Sequence, residues 1–175
     1  MDYFLDTEFN HHISRIEPIS VGIVSADGRE FYSEISDSNL TDCNEFVVTN
    51  VFPHIKRLNG DDTYSFTRKQ TADKILEFTG TDKHPVFYTW YGAFDWVVFA
   101  DLFGEFSDIP YHYPRYTRDM KHLVDMLRIS KDSIPKQVSV EHNALEDARW
   151  NKLVFDTCIK PELDHIGVLR NKKLK

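Results

Sequence analysis

Asp6 and Glu8 stand two residues apart in an apolar run, with Tyr3, Phe4 and Leu5 before them and Phe9 after. On a strand, the period of two puts both carboxylates on one face. Two acids beside a core sheet cost free energy unless a cation meets them, and a hard divalent ion prefers carboxylate oxygens. A solvated strand edge explains the same pair without any ion, so the pair alone leaves both readings open. Asp95 follows Phe94 where a buried strand gives way to a helix. Asp is a favoured N-cap, yet this junction also lies at the end of a neighbouring strand, where α/β sheets build sites. His142 and Asp147 are five residues apart. Within one helix, about 100° per residue would turn them about 140° from each other. With Asn143 as N-cap, His142 falls in the loop outside the helix and can lean over whatever Asp147 points into. A neutral imidazole there can accept a proton; a solvent-exposed loop histidine is the plain alternative.

The elements that must position these residues follow from patterning. Residues 2–9, 16–25 and 30–35 read as three strands, the second with Ile19, Val21 and Ile23 alternating against smaller residues. Asp27-Gly28 is a hairpin turn, and Pro18 marks a bulge or an edge. Asn44 caps a short helix through Val51, limited by Pro53. Thr67 and Gln70 form a capping box that opens a helix toward Phe78, with Gly80 as its stop. Residues 85–90 read as a buried strand. Residues 94–103 form a helix with Trp96, Phe99, Ala100 and Phe103 on one face and Gly104 beyond it. Residues 111–116 are expected as a strand, and Met120, Leu123, Val124 and Leu127 recur at helical spacing. The last helix starts at Asn143, with Glu146 completing a capping box, and runs to about residue 159 before Pro161. These elements predict an α/β fold: a mixed five-stranded sheet, antiparallel meander first and parallel strands after, flanked by helices.

The chain has 175 residues, 41% of them hydrophobic, which suits one domain over residues 1–175 with a frayed basic tail from about 165. Cys43 and Cys158 form no ligand or disulfide pattern, in keeping with a reducing cytoplasm. No apolar run reaches membrane-spanning length, and Met1-Asp2-Tyr3 does not open a signal peptide, so no membrane partner is expected. The net charge of −7 argues against a protein that grips long duplexes by neutralising phosphates. Two divalent cations would bring −7 to −3. Arg115, Arg118, Lys121, Arg128, Lys131 and Lys136 gather in one stretch, either a solvated helix face or a phosphate-facing strip.

Taken together, Asp-X-Glu on the first strand, Phe-Asp opening a mid-chain helix and His-X4-Asp opening the last helix resemble the DEDDh 3′→5′ exonuclease superfamily, over nearly the whole chain. That superfamily includes oligoribonuclease, ribonuclease T and polymerase proofreading domains. Residues 3–9, 17–24, 90–95, 114–118 and 142–149 further resemble the polyadenylate-specific exoribonuclease AS group of mycobacteria. Many DEDDh enzymes carry Asn four residues before the third acid; Tyr91 stands there, a departure shared with the exoribonuclease AS group. Pro18 replaces an aliphatic residue expected at its position. The resemblance implies a ribonuclease H-like fold, two Mg²⁺ ions with Mn²⁺ able to substitute, a single-stranded RNA 3′ end (adenylate-rich in that group) and a homodimer. It also implies roles. Asp6 would be shared between the ions, Glu8 and Asp147 would complete one site, Asp95 would act directly or through water, and His142 would be the general base.

Recognition of an end falls to nearby groups. Backbone around Thr7 and Glu8 would meet the terminal ribose, and Phe9 would pack on the last base, since base–aromatic stacking tolerates sequence. Tyr91 is a further stacking candidate, whereas Trp90 and Phe94 read as core. Arg115 or Arg118 would take upstream phosphates. His11 and His12 lack a partner at ligand spacing and read as a loop, or as a border of the substrate entrance. Two other classes remain open on sequence: an exodeoxyribonuclease or proofreading module acting on single-stranded DNA, and a non-catalytic RNA-binding domain on the same fold.

Overall fold

Tyr3, Phe4 and Leu5 are buried on both faces of β1 (Asp2–His12), which places that strand at the centre of the sheet. The computed structural model describes residues 1–13 and 15–167. β2 (Arg15–Ser25) returns antiparallel to β1, and β3 (Glu30–Ile35) returns antiparallel to β2 through the Asp27-Gly28 turn, where Gly28 adopts φ 89°. β5 (Val86–Thr89) lies parallel to β1 on its other side, and β6 (Arg118–Asp119) parallel to β5. A two-residue strand, β4 (Ser65–Phe66), adds parallel to β3, so the order is β4-β3-β2-β1-β5-β6. The sheet therefore has six strands where five were expected. Two residues cannot display an alternation, which is why β4 was not legible.

The register shifts between Glu8 and Phe9: Glu8 faces Ser20 but Phe9 faces Pro18, leaving Ile19 as the extra residue of a bulge. Pro18 marks that bulge as anticipated. Three other boundaries differ from the sequence reading. β1 continues to His12, because His11 and His12 pair with Ile16 and Arg15, so the two histidines lie on a strand and not in a loop. Residues 111–116 form no strand. Tyr113 is buried in the core, Pro114 has no N–H to give, and the Arg115 guanidinium donates to the carbonyls of Ile109, Pro110 and Tyr113, curling the chain. Finally, the last helix passes Pro161. α4 (Ala144–Val154) widens into a π turn (Phe155–Ile159) and resumes as α5 (Lys160–His165). Pro161 sits in the first turn of α5, where a missing N–H costs least. Residues 168–175 of the expected tail lie outside the described residues.

Helices cover both faces. Tyr3, Leu5, Val21, Ile23 and Phe87 pack against α1 (Arg68–Thr79) and α2 (Ala93–Asp101) through Ala72, Ile75, Trp96 and Phe99. Phe4 and Tyr88 pack on the opposite face against α3 (Met120–Met126), α4 and the π turn through Met120, Val124, Val154, Phe155 and Ile159. The Thr67–Gln70 capping box is made in both directions. No helix among the described residues is long and apolar enough to cross a membrane.

Candidate active site

β5 pairs with β1 only as far as Phe4, so beyond that point the β1 edge has donors without a ladder partner. Asp95 fills this gap: its Oδ1 accepts from the Thr7 backbone N–H at 3.0 Å and from the Thr7 hydroxyl at 2.7 Å. Asp95 is thus not the N-cap of α2. Gly92 holds that position, and a Cβ on Gly92 would lie 1.8 Å from the Thr89 Oγ1. The Asp119 carboxylate accepts from the Gly92 N–H at 2.9 Å, and Tyr91 takes φ 58°. This tight strand-to-helix turn swings Asp95, 6% exposed, across to the acidic pair.

Asp147 arrives from the other face. Gly22 faces Asp6 across the β1–β2 ladder. A Cβ there would lie 2.3 Å from the Ala144 carbonyl carbon and oxygen and 2.5 Å from the Leu145 nitrogen. Only glycine lets the N-terminus of α4 settle directly on the strand beside Asp6. The Asn151 side chain locks the helix by donating to the Leu5 carbonyl at 3.1 Å. The Asn143 side chain accepts from the Glu146 N–H at 3.2 Å, so the predicted cap is present. The box is made in one direction, because the Glu146 carboxylate turns to Arg149. His142 stands outside the helix at φ 62°, and its backbone N–H donates to the Asp147 Oδ2 at 3.0 Å. Its ring meets Phe46 edge-on, with centroids 4.9 Å apart and planes 81° apart. The Gln137 side chain donates to the other Asp147 oxygen.

Glu8, His142 and Asp147 each present a ligand atom, and the three atoms lie within 4.8 Å of one another. Asp6 feels the same charges: burial, then Asp95, Glu8 and Asp147, hold its carboxyl well above the usual range. Burial, then Asp147 and Asp95, push Glu8 up to about 8. Asp95 is pushed up to about 7 by burial, against the two Thr7 hydrogen bonds that favour its ionised form. Asp147 is raised by burial against the donors from Gln137 and His142. Among the described residues none of the four carboxylates has an ion-pair partner. Buried, converging carboxylates whose ionised forms repel one another, with one imidazole beside them, fit a hard divalent cation.

A sequence model of the 3′-5′ exoribonuclease Rv2179c-like domain matches residues 1–159. The chain belongs to this family. The 3′-5′ exoribonuclease Rv2179c of Mycobacterium tuberculosis is 31% identical over 153 residues, covering 85% of this chain and 88% of the relative. Among solved structures, the nuclease domain of 3′hExo, a DEDDh family member bound to rAMP, superposes with TM-score 0.59 at 14% identity, covering 91% of this chain and 93% of the other. Escherichia coli ExoI in its zinc-bound complex with single-stranded DNA gives TM-score 0.65 at 12% identity, covering 95% of this chain and 42% of the other. These likenesses establish the ribonuclease H-like fold expected from the motifs.

Within this exoribonuclease-family domain, the five residues singled out by sequence converge, and Thr7 sits with them as the anchor of Asp95. Phe9 stacks on Phe94 with centroids 5.7 Å apart and planes at 25°. Phe94, read from sequence as core, is 46% exposed, while Trp90 is half-buried against Trp150. Tyr91 is 64% exposed at the turn before Asp95. Arg115 and Arg118 are not brought to the carboxylates. Arg115 is held by the three carbonyls named above, in a pocket with Lys83 and His84 that precedes the start of β5. Arg118 donates to the Tyr88 hydroxyl at 3.1 Å and lies over that ring. Gln137, Phe46, Gly22 and Asp119 were missed. Only Gly22 left a trace in the sequence, as a glycine inside a strand pattern, which marks close approach of another backbone.

Proposed function

We propose that this protein is a divalent-metal-dependent exoribonuclease that removes 5′-mononucleotides from the 3′ end of single-stranded RNA. The observation that carries this reading is the convergence of Glu8, Asp147 and His142 within 4.8 Å, beside Asp6 and Asp95, in a chain of this family. Asp6, Glu8, Asp95 and Asp147 would hold two Mg²⁺ ions, or Mn²⁺ in their place. When bound, such ions acidify water and stabilise the attacking and leaving oxygens of a phosphodiester.

The chain's own groups do the rest. His142 accepts the proton of the attacking water, and its left-handed backbone, bonded to Asp147, aims the ring into the cleft. Phe46 bears on the imidazole edge-on and restricts its rotation. Thr7 holds Asp95 in one orientation, while Gln137 does the same for Asp147. Phe9 and Phe94 offer stacked rings to the terminal base, and the exposed Tyr91 borders the same entrance. The resemblance to the mycobacterial group supports a homodimer, which light scattering of the purified chain would report.

The test uses 5′-labelled single-stranded RNA and DNA of equal sequence with Mg²⁺. Stepwise shortening of RNA, release of 5′-mononucleotides and resistance of a 3′-phosphorylated substrate are expected. Cleavage of a circular RNA would show an endonuclease, and faster loss of DNA would make the sugar assignment wrong. Asp6→Ala should abolish turnover; wild-type rates in that variant would remove the metal assignment.

A further inference from the structure

His11 and His12 form a sequence motif that the five-residue site leaves unused. As adjacent strand residues their side chains leave opposite faces of the sheet, so they cannot converge on one ion. His12 turns to Asn10, whose side-chain nitrogen lies 2.5 Å from its Nε2. His11 turns the other way and meets Phe94, with centroids 5.3 Å apart and planes 55° apart. Phe94 in turn stacks on Phe9. Three rings therefore run along the end of β1, starting one residue past Glu8. From His11 the surface continues into a groove of about 460 Å³ between the β1–β2 end and α2, whose lining also includes His12, Ile13, Arg15, Ile16, Val97 and Asp101.

The groove's chemistry is specific. Val97 is 51% exposed and, with Ile16, gives an aliphatic floor. The one carboxylate, Asp101, is already met by Arg68 at 3.5 Å. The Arg15 side chain is 42% exposed and reaches Glu17 at no less than 4.0 Å, while Arg68 holds that carboxylate at 2.6 Å, so the Arg15 guanidinium keeps donors for an anion. An aromatic face, an aliphatic floor and one available cation match a base, a ribose and a phosphate. The volume falls within the roughly 300–1,000 Å³ of small-ligand sites.

We propose that this groove is the subsite for the nucleotide preceding the 3′-terminal one in single-stranded RNA, with its base against His11 and Phe94 and its 5′-phosphate toward Arg15. The proposal rests on the exoribonuclease reading above. It is tested by kcat/KM of wild type, His11→Ala, Arg15→Ala and Val97→Asp on two substrates with Mn²⁺. One is a short single-stranded RNA. The other is the p-nitrophenyl ester of a 5′-nucleotide, which has the terminal nucleotide and a leaving group but no preceding nucleotide. His11 and Arg15 are both exposed, so their variants keep the fold. His11→Ala and Arg15→Ala should each lose about tenfold on RNA, the lower part of the range for one stacked base, and change ester hydrolysis by less than about twofold. Val97→Asp, which puts a negative charge on the floor, should follow the same split. Equal losses on both substrates, or no loss on either, would overturn the subsite. Failure of wild type to hydrolyse either substrate would instead overturn the exoribonuclease reading and the subsite with it.

Discussion

Replacing Glu8 by Gln should make the metal-free protein more stable while removing its activity. Glu8 is 8% exposed, and among the described residues it accepts no hydrogen bond. Its carboxyl is pushed from 4.5 up to about 8, by burial first and then by Asp147 and Asp95. A raised value in the folded state means that the native protein binds this proton more tightly than the unfolded chain does. Stability from this group is therefore complete below about pH 4.5, falls as pH rises toward 8, and changes little above that. At 1.36 kcal/mol per unit, the interval sets an upper bound of about 5 kcal/mol. Asp6, Asp95 and Asp147 share the pocket, so a proton on any of them relieves Glu8, and one substitution should recover about 1–3 kcal/mol. For a chain of 175 residues that is a Tm rise of about 2–12 °C. The assay is thermal unfolding in chelator at pH 4, 6 and 8, repeated with Mn²⁺. The variant's advantage should be near zero at pH 4 and greatest at pH 8. Mn²⁺ should reverse the order, because ligand at a hundred times its Kd stabilises wild type by about 2.7 kcal/mol and Gln is the poorer ligand. Equal or lower Tm for Glu8→Gln at pH 8 in chelator would show that the carboxylates are relieved in some other way.

Three further outcomes are expected. His142→Ala should lower kcat by about 10²–10⁴-fold with near-normal Mn²⁺ affinity by calorimetry, as for loss of a general base; collapse of affinity would make His142 a ligand. Gly22→Ala should push α4 off the strand, because its Cβ would overlap the Ala144 carbonyl. A loss of about 1–3 kcal/mol in denaturant unfolding is expected, together with reduced turnover, and a variant of wild-type stability would contradict the packing argument. Gln137→Ala should free the Asp147 oxygen it now holds and loosen the loop before His142, lowering kcat on RNA and on the nucleotide ester alike. A change confined to KM would place Gln137 in substrate binding.

The features legible in sequence were those decided within a few residues. Asp6 and Glu8 share a face because a strand alternates, and that holds whatever the strand packs against. His142 falls outside α4 because Asn143 caps it, again a local matter. The Thr67–Gln70 box, the Asp27-Gly28 turn and the bulge at Pro18 belong to the same kind. What the sequence hid was set by partners far along the chain. Asp95 could be read as a helix cap or as a site acid, and which of the two holds was decided by Thr7, 88 residues away, whose donors it accepts. Arg115 looked able to take a phosphate, but carbonyls exposed by the curled segment at Ile109 and Pro110 claimed its donors first. His11 and His12 looked like a loop until pairing with Ile16 and Arg15 extended the strand and sent one ring to each face. Spacing along the chain fixes the direction a side chain leaves the backbone, whereas the group waiting there depends on how distant segments pack, and only the tertiary structure decides that.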